Sequence, residues 1–251
     1  RSSDLHTLIM PFTDSSNLTA LESELTDRWG PLVMKEGHAF AAAAGTHTTI
    51  ATLAESRNCP NLTIMGSGKS PTPPWVVAAV LGGVDAFEPD PARPRQTLTL
   101  PGVLSPAIPD RFTMAERNIH LHGGASTCVT DSGGHVLIER LITTYTVNAF
   151  DIEDPSYLDV TTMRTLAYLR YSVRARIAQK FPRHKLADDG TKFGAGQAVV
   201  TPQTIRAELI ALFIQWEESG LVEGREQFKS DLIVERDGSD PNRLTRSSSP
   251  R

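Results

Sequence analysis

Apolar positions along this chain recur with two periods, and the switches between them mark out its elements. The run from Leu5 to Phe12 has the length and composition of a buried strand. Asp14, Ser15 and Ser16 then offer caps for a helix with Leu18, Leu21, Leu25 and Trp29 on one face, stopped by Gly30 and Pro31. His38 to Ala44 predicts a second strand, Thr46 to Arg57 a helix, and Leu62 to Met65 a third strand. Strand, helix, strand, helix, strand is an α/β beginning.

Prolines crowd the segment 71–109, where a helix over Trp75 to Val84 and a short strand over Thr97 to Leu100 are predicted. Phe112 to Leu121 reads as helical. Ser126 to Thr130 and Val136 to Thr143 flank Asp131, Ser132, Gly133 and Gly134, which is a hairpin signal.

The densest pattern lies between Asp154 and Val222, a helical pair placed over 160–218. Leu166, Leu169, Val173 and Ile177 recur at steps of three and four. At about 100° per residue, Arg170 and Arg174 fall on one flank of that stripe, Arg176 and Lys180 on the other. Pro182 ends the helix. Thr201 caps a second helix with Pro202 at its first position, carrying Ile205, Leu209, Leu212, Phe213 and Trp216 up to a stop at Gly220. Leu232 to Glu235 predicts a last strand, after which the pattern is lost.

The pattern predicts a mixed α+β fold of the α/β type, with a central sheet flanked by helices and a hairpin and loop-rich insertion, forming a single domain over 1–244. Residues 245–251 read as a disordered tail or a truncation scar. The chain has 251 residues, 39% of them hydrophobic and 22% charged, enough to bury a sizeable core. A formal net charge of -4 gives no general pull towards nucleic acid or an anionic membrane. No apolar run approaches the roughly 20 residues that span a bilayer. Two cysteines, Cys59 and Cys128, are too few for a disulfide scaffold and fit a reducing compartment, with a single bridge left open.

Several segments resemble catalytic or binding motifs without completing them. Gly66 to Ser70 has the GK[ST] end of a phosphate loop, but Thr63 stands where the motif needs Gly and prolines delay the following helix; a polar turn after a strand accounts for it. Thr130 to Gly134 resembles a serine-protease nucleophile segment around Ser132, with no second motif of that kind. His120, His122 and His135 would suit a metal only on an extended chain with further ligands. Asp188 and Asp189 lack calcium-loop spacing and read as a solvated turn. A hydrolase or nucleotide-binding enzyme using Ser132 or Lys69 is therefore the alternative reading.

The phrases DRWGP, SRNCPNLTIMGSGKSPTPPW, DPARPRQTLTLPG, ITTY, DPSYLDV and TLAYLRY, and above all FPRHKLADDG followed by TPQTIRAEL, resemble the contractile tail sheath proteins of Mu-like phages and prophages. The similarity runs from about Leu5 to Leu244. It implies a virion structural protein, not an enzyme, made in the host cytoplasm and lacking cofactor, nucleotide or direct nucleic-acid contact. Its implied partners are other copies of itself in stacked hexameric rings, the tail tube protein and the baseplate. Compared with that family the chain reads as a core fragment without its terminal linking arms, hence a monomer. Arg170, Arg174, Arg176 and Lys180 become candidate contacts to an acidic tube or a neighbouring subunit.

Overall fold

The computed structural model describes residues 6–247. The chain divides into two compact units, 1–167 and 168–251, the division falling inside one long helix.

The first unit is built on a six-stranded sheet. Its strands are β1 (Thr7–Ile9), β2 (His38–Ala44), β3 (Leu62–Gly68), β4 (Thr99–Leu104), β5 (Ala125–Thr130) and β6 (His135–Arg140), in the order β1-β2-β3-β5-β6-β4. The first four strands in that order pair in parallel, as the strand–helix alternation predicts, and β5–β6 and β6–β4 pair antiparallel. The expected hairpin is thus β5–β6. The first residue of the strand expected from Leu5 lies outside the described residues.

β2 shows why this sheet needs helices on both faces. Alanine is a poor strand former in isolation, yet Ala39, Ala41 and Ala43 join one core while Phe40 and Ala42 join the other. Burial on alternate sides is the two-residue period of a strand. One core is completed by Val77, Ala78 and Leu81 of α3 (Pro74–Phe87). The other is completed by Leu18 and Leu25 of α1 (Ser15–Trp29) and by Ile50 and Ala54 of α2 (His47–Glu55). The predicted cap of α1 holds, Asp14 accepting from Asn17 N; Thr46, expected as the first helical residue, is instead the cap of α2 and accepts from Thr49 N. A fourth helix, α4 (Met114–His122), opens with a capping box between Thr113 and Glu116.

α3 approaches the sheet closely through Gly82. A Cβ there would overlap Ile9 Cδ1 and stand 3.3 Å from Phe40 Cδ2, whereas one on the adjacent Gly83 would meet nothing within 4 Å.

The division falls in α5 (Val160–Lys180). The second unit contains the remainder of α5, β7 (Lys185–Leu186), β8 (Val199–Val200), α6 (Pro202–Glu218), α7 (Arg225–Asp231), β9 (Ile233–Arg236) and β10 (Leu244–Ser247). α6 has the predicted start, with Thr201 accepting from Thr204 N and Pro202 at its first position, and Gly220 follows its end at φ 71°. Leu209, Leu212, Phe213 and Trp216 are buried, with Leu169, Val173 and Phe228 packed against this helix's core. Phe213 and Phe228 stack with centroids 4.2 Å apart.

Two expectations change. Residues 245–247 are not a featureless tail but belong to β10, antiparallel to β9; 248–251 lie outside the described residues. The connecting turn is organised by Asp237, which accepts from Ser239 N and Oγ, Asp240 N, Arg243 Nε and Nη2, and Thr245 Oγ1. Polar side chains, which carry no hydrophobic period, set this pairing. Second, Gly66 and Ser67 are strand residues, so the turn after β3 begins later than its composition indicates. The helix expected over Phe112 to Leu121 is α4, so His120 and His122 do not lie on the extended chain that a metal site there would have required.

Candidate assembly interface

The four basic candidates all lie on the part of α5 within the second unit. Arg176 and Lys180 stand one turn apart and converge on Glu208 of α6: Lys180 Nζ lies 2.7 Å from Oε1 and Arg176 Nη1 3.9 Å from Oε2. Arg176 also donates to the Gln215 side chain. This flank is therefore already engaged by an acidic helix of its own unit. Arg170 and Arg174, on the other flank, are half-buried, and Tyr168 and Tyr171 on the same stretch are exposed.

A fifth cation, Arg164, escaped the sequence reading. It sits at the start of α5 in the first unit, where it donates to Asp85 Oδ2 through Nε at 2.8 Å and again through Nη2. It also donates to the His6 carbonyl and Thr7 Oγ1, both at 2.8 Å, and its guanidinium lies over the Phe40 ring, 5.7 Å from the centroid. Asp85 accepts a second guanidinium on its other oxygen, Arg95 Nε at 3.0 Å. Two arginines thus share one carboxylate that has no solvent exposure, and Arg95 is itself 2% exposed. The arrangement ties the ends of α3, β1 and α5 to the 88–97 loop. The signal for it was Asp85 itself, the only charged residue in the apolar helix PWVVAAVLGGVDAF.

The catalytic look-alikes are dispersed. Lys69 pairs with Asp110 at 2.6 Å, and no helix opens directly after Gly68 to cradle a phosphate. Ser132 lies in the β5–β6 turn, where Asp131 accepts from His135 N at 2.8 Å; that backbone donor leads in holding the Asp131 carboxyl below its usual range. His120 is buried against His47, Nε2 to Nδ1 at 2.9 Å, while His122 is exposed. Burial pushes the His120 imidazole below its ordinary value. Among the described residues no group of three or more His, Cys, Asp or Glu side chains could hold a metal ion. Asp188 pairs with Arg236 at 3.1 Å, and Asp189 accepts from Gln203 N at the start of α6. Both cysteines are unbridged, and burial drives each thiol up to about 11. No helix among the described residues is long and apolar enough to cross a membrane.

A second buried imidazole is His38. The Thr63 hydroxyl donates to Ile142 O at 2.9 Å, so it must accept from His38 Nε2–H at 2.8 Å. His38 Nδ1 is buried without a hydrogen-bond partner among the described residues, and burial, aided by the Arg164 charge, holds the ring well below its ordinary value.

Residues 2–144 match the phage tail sheath protein central domain, and residues 153–250 match the phage tail sheath C-terminal domain. A Mu-like prophage FluMu tail sheath protein from Haemophilus influenzae is 48% identical over 241 residues, covering 94% of this chain and 49% of the relative. This chain therefore spans about half the length of that relative. Among solved structures, a sheath tail protein of Desulfitobacterium hafniense aligns with a TM-score of 0.63 at 14% identity, over 93% of this chain and 50% of that one. The helical sheath of the anti-feeding prophage in its contracted state aligns with a TM-score of 0.53 at 11% identity, over 88% of this chain and 57% of that one. At such identities the structures share only the fold. Both family domains and the long, highly identical alignment place this chain in the phage tail sheath family.

Proposed function

We propose that residues 1–244 act together as the core of a contractile tail sheath subunit. In the full-length protein, copies assemble in hexameric rings stacked around the tail tube above a baseplate, and contraction drives the tube through the host envelope. The observation that carries this reading is 48% identity with a Mu-like tail sheath protein across 94% of the chain. The contracted sheath with which the fold aligns supports it further. The subunit works by repacking against its neighbours, not by bond chemistry. Neither Lys69, paired to Asp110, nor Ser132, in a hairpin turn, supports the hydrolase or nucleotide reading.

Arg170, Arg174, Arg176 and Lys180 are the proposed assembly contacts to the tube or a neighbouring subunit. Arg176 and Lys180 would act together with Glu208, so that flank presents a partly neutralised surface. Assembly takes place in the host cytoplasm and the product is the virion tail. Electron microscopy of the full-length protein tests the reading: tubular sheaths are expected, and persistent monomers overturn it. This chain by itself is expected to elute as a monomer in size-exclusion chromatography.

A further inference from the structure

The first unit carries an apolar projection and an apolar recess that do not meet within one copy. The projection is the turn at Phe150–Ile152, closed by its own backbone. Asn148 N donates to Ile152 O at 2.9 Å, Asp151 N to Asn148 O at 3.0 Å, and the Asn148 side chain accepts from Phe150 N and Ile152 N. Asn58 clamps the base, donating to Val147 O at 2.8 Å and accepting from Thr146 N at 2.9 Å. This scaffold holds Phe150 82% and Ile152 62% exposed. Single apolar side chains on a surface are ordinary, but two held outward by a satisfied turn form a preorganised anchor.

The recess is a groove of about 470 Å³ between α3 and β4, lined by Val80, Gly83, Val84, Phe87, Leu98 and Pro101. Glu88 is its one charged lining residue, and the exposed Arg93, 3.8 Å from Glu88, borders it. The tip carries exposed acids, Asp151 and Glu153, beside its apolar pair. An apolar tip and an apolar groove are complementary in polarity, and the tip's acids find an exposed cation at the groove's border in Arg93, which also faces the more buried Glu88.

We propose that the Phe150–Ile152 tip of one copy seats in the α3/β4 groove of a second copy, with Asp151 or Glu153 meeting Arg93. The proposal rests on the reading of this protein as a self-assembling sheath subunit. The contact joins different patches on the two copies, so it propagates around a ring or along a helix and does not stop at a pair. It is also small. A buried aromatic contributes about 150–250 Å², far below the roughly 800 Å² per partner of a stable binary interface. The contact therefore holds only as one of many in an array, which agrees with the monomer expected of this chain alone.

The test uses the full-length protein and electron microscopy of its tubes. Gly83→Leu fills the groove without a clash at its Cβ and, as a better helix former than glycine, is expected to melt at or somewhat above the wild-type temperature, while Phe150→Asp changes only an exposed tip and is expected to melt no lower. Each should lower the yield of tubes by roughly tenfold or more, the factor set by losing one buried Phe, while Phe150→Leu retains it. In a Phe150→Cys/Gly83→Cys pair, oxidation of assembled tubes should produce a ladder of disulfide-linked multimers, absent from either single variant. The single variants also control for the native thiols, Cys59, which is buried, and Cys128, which is partly exposed. Tubes without a ladder, or normal tubes from Gly83→Leu and Phe150→Asp, overturn the proposal. So does protection of the single Gly83→Cys thiol from maleimide in the unassembled protein, which would show the groove filled from within the same chain. If the wild type forms no tubes, the sheath reading itself falls, and this contact with it.

Discussion

Replacing Asp85 by Asn keeps the shape of the helix end but removes the single negative charge between Arg95 and Arg164. Both carboxylate oxygens are in use, one by each arginine, and the side chain has no solvent exposure. Arg95 is 2% exposed and Arg164 14%, so water cannot replace the lost counter-charge at the first and only partly at the second. Removing one member of a buried ion pair costs about 3–5 kcal/mol, against about 5–15 kcal/mol of total stability for a typical domain. Because the chain divides into two units, the loss is best read locally, by hydrogen exchange of the β2 and α3 amides. At about 1.4 kcal/mol per decade, protection should fall by roughly two to three and a half decades. A companion variant, Asp85→Leu with Arg95→Met and Arg164→Met, should recover most of it, since an apolar replacement of a whole buried ion cluster is often neutral. Its remaining deficit would reflect the lost Arg164 bonds to His6 O and Thr7 Oγ1 and the lost Arg95 bonds to the Asp90 and Arg93 carbonyls. If Asp85→Asn exchanges within tenfold of wild type, the buried charges are compensated elsewhere and the reasoning fails.

Neighbouring glycines in α3 should respond differently. Gly83→Ala gains up to about 1 kcal/mol of helix propensity, whereas Gly82→Ala offsets the same gain with about 1–3 kcal/mol of overpacking against Ile9 and Phe40; equal melting temperatures would refute the close approach. The first unit should weaken as pH falls through about 6.5, the ordinary His value. His38 and His120 are depressed by burial, so below that pH the unfolded chain binds more protons than the folded one, and each ring costs up to about 1.4 kcal/mol per pH unit until its folded value is reached. Thermal melts at pH 7.5, 6 and 5 read this slope, and His38→Gln, which can still donate to Thr63, should flatten it; an unchanged slope would show that His38 is not its source. Leu209→Ala should cost the second unit about 2–5 kcal/mol by opening its core, while Glu208→Ala should cost under about 1 kcal/mol because its pairs with Arg176 and Lys180 are partly exposed; urea unfolding that ranks the two in the opposite order would contradict this. Charge reversal at Arg170 and Arg174 in the full-length protein should impair sheath assembly, and normal sheathed tubes would dismiss them as contacts.

The first unit was largely legible in the sequence because its elements are long and bury whole faces. β2 was predicted over the residues it occupies, and Asp14 caps the helix it was expected to cap, as Thr201 does in the second unit. The second unit was less legible. β7 and β8 are two residues each, too short for any period, and α7 has one inward aromatic, Phe228, among polar residues. β10 is set by a turn that Asp237 organises through side-chain bonds. At the candidate interface, period alone placed Arg176 and Lys180 on one flank of α5 but could not supply their partner, since Glu208 lies on another helix and only tertiary packing brings the two together. Arg164 was missed for the same reason.

The strand order has a consequence for how this chain is made. β4 leaves the ribosome before β6, its partner in the sheet, and in between come α4 and β5. At about 5–20 residues per second, the segment ending at Leu104 waits seconds for β6 to emerge. A nascent chain stalled just short of His135 is therefore expected to leave β4 open to protease, and one released past Arg140 to protect it. Equal cleavage of both would show that β4 finds shelter without β6.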